Sequence, residues 1–214
     1  MSRIVIFGGS GYAGGNIARE AVSRGHEVVS YTRNAPEAPV DGVDYRVGSV
    51  ADAELVAKAA ADADQVVVAV KAEDVDGAPL ATYLPTLVDA AVAGGARLSF
   101  VGGAGTSLVS PGGRRLVDTP QFHDEWKPEA LAHADVLAGL RQAPPELDWF
   151  YVSPAALFGS FAPGETTGAY RTGGDLLVTK DDGSSEISGA DLALAYVDEI
   201  EQSAHPRQRF TVGH

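Results

Sequence analysis

The stretch from Ile4 to Gly15 reads Ile-Val-Ile-Phe-Gly-Gly-Ser-Gly-Tyr-Ala-Gly-Gly, and no other part of the chain restricts its folding so tightly. The apolar run is rich in β-branched residues and too brief for a helix, so it reads as a buried strand. It opens directly into glycines at 8, 11 and 14. Glycine at 8 lets the chain turn without a Cβ clash. Glycine at 11 lets the backbone approach another group closely, and glycine at 14 lets a helix lie against the strand. Helical spacing follows at once: Ile17, Ala18, Ala21 and Val22 share one face, and Gly25 stands where a C-terminal cap belongs. Val28 and Val29 then mark a second strand between His26 and Tyr31. In a chain with 25 glycines the spacing alone is a weak signal, and the strand, helix and strand around it make it specific. Free N–H groups and the positive dipole end at the helix start suit a phosphate. Gly8, Ser10, Gly11, Tyr12 and Ala13 are therefore the expected cradle of a dinucleotide.

The end of the second strand bears on which dinucleotide. A site for the unphosphorylated form places Asp or Glu about 20 residues beyond the glycines, on the ribose hydroxyls. This chain has Tyr31-Thr32-Arg33-Asn34 there, with no acid. Thr32 can donate a hydrogen bond and Arg33 can pair with a 2′-phosphate, which favours NADP. The alternative is an arginine that is simply solvated on a loop.

Alternation of strand and helix continues. Val43 to Val47 reads as a third strand, Asp52 to Ala61 as a helix, and Gln65 to Val70 as a central parallel strand buried on both faces. Pro79 to Ala93 carries a helical stripe, Leu98 to Val101 a fifth strand, Pro128 to Arg141 a helix, and Trp149 to Val152 a sixth strand. The last third is rich in glycine. It has short extended pieces at Ala169 to Thr172 and Leu176 to Thr179, a turn at Asp181-Asp182-Gly183, a helix from Ala190 to Gln202 capped by Ser188, and a closing strand from Gln208 to Val212. This predicts an α/β fold of Rossmann type: a doubly wound parallel sheet in a single NAD(P)-binding domain over 1–214, with about 157–188 forming a small substrate-side lobe. Ligands of such sheets lie beyond the carboxyl ends of the strands. The expected cofactor contacts therefore extend to Ser49, Val50, Val70, Lys71, Gly102, Gly103, Pro154 and Ala155. The glycines from 102 to 105 are expected to leave room for a flat nicotinamide.

Composition narrows the partners. The chain has no cysteine, so disulfides and thiolate chemistry are excluded, and its five histidines lack metal-ligand spacing. His133 reads as an ordinary helix-surface residue. A formal net charge of −13 argues against nucleic acid or an anionic membrane. The N-terminus enters a strand at once and no apolar stretch approaches the ~20 residues of a membrane span. A cytoplasmic monomer or homodimer acting on a small-molecule acceptor is expected.

Taken together, Gly8-x-x-Gly11-x-x-Gly14, Val101-Gly102-Gly103-Ala104-Gly105, Asp118-Thr119-Pro120, Lys127-Pro128-Glu129-Ala130, Ser153-Pro154-Ala155 and the ending Arg207 to Gly213 resemble the atypical short-chain dehydrogenase/reductases. The chain is most similar to the small NAD(P)-binding proteins often labelled NADH-flavin reductases, near biliverdin reductase B and the NmrA-like proteins. The resemblance implies NADPH as cofactor and FMN or FAD as a possible substrate. Two departures stand out. Related proteins usually have Asp after the third strand, where this chain has Ser49, and the wider superfamily's Tyr and Lys four apart on the helix after strand five are absent. Hydride transfer to a flavin survives that loss, because protonation can come from solvent. Thr106, Trp126, Lys127 and Tyr170 are the candidate substrate-side groups, with Trp126 suited to stacking on a flavin and Lys127 to stabilising negative charge. The other readings are a non-catalytic NADP-binding redox sensor of the NmrA-like kind, and a ketone reductase using a donor such as Tyr170.

Overall fold

Eight strands form one sheet in the order β3-β2-β1-β4-β5-β6-β8-β7 in this computed structural model, which describes residues 1–214. The strands are β1 (Arg3–Phe7), β2 (Glu27–Thr32), β3 (Val43–Val47), β4 (Gln65–Val68), β5 (Arg97–Val101), β6 (Trp149–Ser153), β7 (Arg171–Thr172) and β8 (Gln208–Gly213). All pairs are parallel except β7 with β8. The helices are α1 (Tyr12–Ser23), α2 (Ala53–Ala61), α3 (Leu84–Gly94), α4 (Lys127–Arg141) and α5 (Gly189–Gln202).

Parallel strands need crossovers, and the helices that make them cover both faces. Ile17, Ala18 and Ala21 of α1 and Leu192, Ala195 and Tyr196 of α5 bury one face with Ile4, Ile6, Val67, Phe150 and Phe210. Val56 and Ala59 of α2, Leu87 and Ala91 of α3, and Val136 and Leu140 of α4 bury the other with Val5, Phe7, Val66, Phe100 and Tyr151. Strands β1, β4, β5 and β6 lie between two helical layers, which is why they read as continuous apolar runs rather than alternating ones.

Register brings the strand ends level. Phe7 pairs with Tyr31 on one side and Val68 on the other, Thr32 pairs with Val47, and Val68 pairs with Phe100. The next residues along each strand therefore meet at one rim. That rim is where strand order reverses between β1 and β4, the place at which open α/β sheets bind ligands.

Two extended pieces differ from expectation. The valine run stops pairing at Val68, because Ala69 onward bends away into a loop. Between 169 and 179 only Arg171 and Thr172 form a strand; Gly173 and Gly174 still bond Thr211 of β8, but the chain turns there, and Leu176 makes a single bridge to Leu108.

Candidate functional site

The turn after β1 has the backbone that its glycines demand. Gly8 has φ +95°, a region that disfavours a side chain, and a Cβ there would lie 2.9 Å from the Ala69 carbonyl carbon. A Cβ at Gly14 would lie 2.9 Å from the Gly8 carbonyl carbon, so α1 packs directly on the turn. At Gly11 the nearest atom is Gly8 O at 3.3 Å, and the outer side is open. The helix starts differ: α3 and α4 continue from 3-10 turns, carry proline in the first turn and have no side-chain cap. Asp52 caps α2 by accepting from Glu54 N and Leu55 N, and Ser188 caps α5 by accepting from Asp191 N. Gly11 gives α1 no side-chain cap, and the first-turn N–H groups of Tyr12, Ala13 and Gly14 have no protein acceptor. Such groups need a partner from outside.

A cavity of about 250 Å³ opens on this terminus. Gly8, Ser10, Gly11, Thr32, Arg33, Ser49, Val50, Val70 and Lys71 line it, together with Phe7, Tyr31, Asp74 and Val75. Tyr12 borders an adjoining depression with Ser10, Gly11 and Asn16. A second depression of about 310 Å³, around Asp64, Arg97 and Asp148, lies at the amino ends of the strands, away from the glycine turn.

Within the cavity some hydroxyls are already engaged. Thr32 is buried and donates to the Asn34 carbonyl at 2.7 Å, so it shapes the turn rather than reaching outward. Arg33 beside it is exposed and makes no side-chain hydrogen bond or ion pair. Ser49 donates to the Asp76 carboxylate. Asp76 sits at φ +51° in a tight turn closed by Val75 and Ala78, whose N–H groups donate to each other's carbonyls at 2.8 and 3.1 Å. The carboxylate missing directly after β3 thus arrives from the loop after β4, a long-range approach that motif spacing could not reveal.

The other half of the cleft corrects several expectations. A Cβ at Gly102 would fall on the Tyr151 ring, one at Gly103 would come within 3.3 Å of His133 Cδ2, and one at Gly105 within 2.7 Å of Ala130 Cβ. On their Cβ side these glycines make room for side chains of β6 and α4. Pro154 and Ala155 are buried, Ala155 in the core, and neither lines the cavity that opens on the glycine turn. Thr106 is also buried, with its hydroxyl lacking a partner. Lys127 pairs with Asp124 at 2.6 Å, holds that carboxyl below its usual range, and faces a depression shared with Val117 and Thr119 outside the cavity. Tyr170 donates to Asp198 at 2.6 Å, and Asp198 also binds Arg24, just past the C-terminal end of α1. The 12 residues of α1 span about 18 Å, which places Tyr170 far from the glycine turn.

Sequence reasoning also missed a pair on α4. His133 is buried rather than on the surface, and its Nε2 lies 3.2 Å from Glu129. Glu129 also accepts from Ala72 N at 2.9 Å and Glu73 N at 2.7 Å, tying α4 to the loop after β4. Burial pushes the Glu129 carboxyl up, but the hydrogen bonds from His133 and the two amides outweigh it and bring the group down to about 2. The only advance signal was the four-residue spacing, which puts both side chains on one helix face. Trp126, half-exposed at the start of α4, meets Phe161 across the cleft mouth with ring centroids 6.3 Å apart.

The family model for NAD(P)H-binding proteins matches residues 8–203. The uncharacterized protein YwnB of Bacillus subtilis is 37% identical over 217 residues, covering 98% of this chain and 97% of its own. A solved structure from Burkholderia pseudomallei, provisionally described as an exported protein, is 40% identical over the whole of both chains with a TM-score of 0.87. Another from Streptococcus pneumoniae, provisionally described as an NADH-flavin reductase, is 32% identical over the whole of both chains with a TM-score of 0.82. No helix of this chain is long and apolar enough to cross a membrane.

Proposed function

The chain belongs to the NAD(P)H-binding family, and we propose that it is an NADPH-dependent oxidoreductase passing hydride to a flavin or a similar conjugated acceptor. The observation that carries this reading is the uncapped N-terminus of α1, open on a cavity with Arg33 unpaired at its rim. A group that fits must bring an anion to the free N–H groups and a second anion to Arg33. A dinucleotide with a pyrophosphate and a 2′-phosphate does both. The N–H groups of Tyr12, Ala13 and Gly14 would hold the pyrophosphate, and Val50 and Val75 would give apolar walls to the adenosine. When bound there, reduced nicotinamide supplies the hydride.

The expected proton donors on the substrate side are engaged with other partners. α4 contains no tyrosine, Lys127 is paired with Asp124, and Tyr170 with Asp198. An acceptor that takes its proton from solvent needs only two rings held in register, which favours a flavin. A cytoplasmic setting, with its supply of reduced dinucleotide, belongs to the same proposal.

The engaged state of Lys127 and Tyr170 also supports a second reading, a non-catalytic redox sensor that binds NADP without turning it over. Steady-state oxidation of NADPH with FMN, FAD, biliverdin and quinones separates the two. Turnover with a flavin supports the reductase; micromolar binding without turnover on any acceptor leaves the sensor.

A further inference from the structure

We propose that Glu129, which lies outside the cavity, is a positioning residue for it: from the first turn of α4 it holds the loop after β4 as a wall of the cofactor site. This rests on the NADPH reading of the cradle and adds to it a residue that acts from a neighbouring helix.

The loop has little else to hold its leading limb. Ala69 N still donates to Phe7 O at 2.8 Å, and after it the chain leaves the sheet. From Val70 to Asp74 only two backbone N–H groups find a protein acceptor, those of Ala72 and Glu73. Both donate to the Glu129 carboxylate, at 2.9 and 2.7 Å, one to each oxygen. The carbonyls of the same stretch receive one bond, from Leu80 N to Ala72 O at 2.9 Å. Farther on the loop closes on itself, with Val75 paired to Ala78, and Gly77 N donating to the Asp74 carboxylate at 2.8 Å. The tip therefore carries its own shape, and Glu129 fixes where the limb before it lies.

That limb faces the cofactor cavity. Val70, Lys71, Asp74 and Val75 line it, two on either side of the amides that Glu129 holds. Asp76, which accepts from Ser49, follows directly, so the limb also carries the contact between the loops after β3 and β4. Glu129 is suited to the task because its helix is docked through Val136, Leu137 and Leu140, and buried His133 braces the carboxylate at 3.2 Å. A carboxylate has two acceptor oxygens and no hydrogens, so it serves two adjacent amides at once. An amide side chain offers one oxygen and sets its NH2 against the second N–H. Without the anchor, apparent affinity falls with the fraction of molecules whose wall is in place.

Glu129→Gln tests this, beside Tyr170→Phe, whose lost hydrogen bond to Asp198 lies far from the glycine turn. NADPH and adenosine 2′,5′-bisphosphate, which carries the adenosine half alone, are titrated into the native chain and both variants below their melting temperatures. Glu129→Gln is expected to bind both ligands about three- to tenfold more weakly, by the same factor, with Tyr170→Phe unchanged. Removing a negative charge would by itself favour an anionic ligand, so a weaker complex reports the lost anchor. Amide exchange followed by NMR is the second measurement: in the native chain Ala72 and Glu73 are protected, more so with NADP+ bound, and Glu129→Gln removes that protection. Native affinity for both ligands in Glu129→Gln overturns the positioning role and leaves the cofactor reading intact. An equal loss in Tyr170→Phe overturns it as well, since the effect is then one of general stability. An unchanged bisphosphate affinity does the same, because the wall then serves no part of the adenosine half. If Glu129→Gln does not fold, exchange in the native chain decides, and protection at Ala72 and Glu73 that ignores NADP+ overturns the proposal. A native chain that binds neither ligand overturns the cofactor reading, and the positioning role falls with it.

Discussion

The two halves of the cleft are built from different materials. The cradle around Gly8 and Gly11 is made of backbone, and its requirements are geometric: a positive φ, a close helix approach, and N–H groups left without a cap. The half proposed to take the acceptor is made of side chains that meet from distant segments, Glu129 and His133 from α4, Tyr151 from β6, Phe161 from the loop beyond. Backbone sites tolerate almost no change in residue type at their tight points. Side-chain sites tolerate change locally, but they depend on partners far along the chain. The largest losses should therefore come from the cradle.

Gly8→Ala is expected to be the most damaging single change. It puts a side chain at φ +95° and drives a methyl into the Ala69 carbonyl, neither of which a flexible neighbour can relieve. Strain and overpacking together cost about 3 kcal/mol. Denaturant midpoints and NADPH dissociation constants should both worsen. A variant as stable as the native chain would mean that the turn is softer than its packing implies, and the contrast between the two halves would collapse.

Arg33→Ala comes next, and it touches binding without touching the fold. The guanidinium is exposed and unpaired, so its loss disturbs no internal contact. A charge-assisted bond to a 2′-phosphate contributes about 1.5–3 kcal/mol, so NADPH affinity should fall roughly 10- to 100-fold. NADH affinity should hardly move. An unchanged ratio of the two dissociation constants removes Arg33 from the phosphate role.

Glu129→Gln probes the acceptor half. The amide side chain can still accept one of the Ala72 and Glu73 N–H bonds but cannot hold both with His133 as an anion does, a loss of about 1–2 kcal/mol. The pH dependence follows from the direction of the shift. The carboxyl is held at about 2 in the folded chain, below its unfolded value, so its contribution is complete above about pH 4.5 and disappears as pH falls toward 2. Melting temperature across that window should drop less steeply in Glu129→Gln than in the native chain. Parallel curves would show that the latch between α4 and the β4 loop contributes nothing.

The same division explains what the sequence disclosed. Gly8 and Gly14 announced strand, turn and helix because each answers a local steric demand that only glycine meets, and those demands lie within a few residues of one another. The valine-rich runs announced a parallel sheet because burial on both faces removes polar alternation. Gly102 and Gly103 are less legible for the opposite reason. The space they leave is filled by Tyr151 and His133, and nothing between residues 98 and 105 specifies those occupants. His133 is buried although its sequence context suggests a surface residue, because one histidine on a helix carries no label for its face until the helix is docked. Asp76 escaped notice because it joins Ser49 from the far side of β4.

Tyr170→Phe should give the smallest effect, and it falls outside both halves. The hydroxyl donates to Asp198, which also pairs with Arg24 near the foot of α1, so the contact ties the segment before β7 to the α1–α5 layer. Burial and the neighbouring Asp198 push the phenol up to about 12. A raised phenol stabilises the fold while it stays protonated, fully below pH 10, and that contribution is lost between pH 10 and 12. Removing the hydroxyl should cost about 1 kcal/mol at neutral pH and flatten the alkaline melt in that window. NADPH binding and turnover should be those of the native chain. A drop in turnover without a matching loss of stability would make Tyr170 a proton donor after all, and would place acceptor chemistry at the wrong end of α1 for the cradle to serve it.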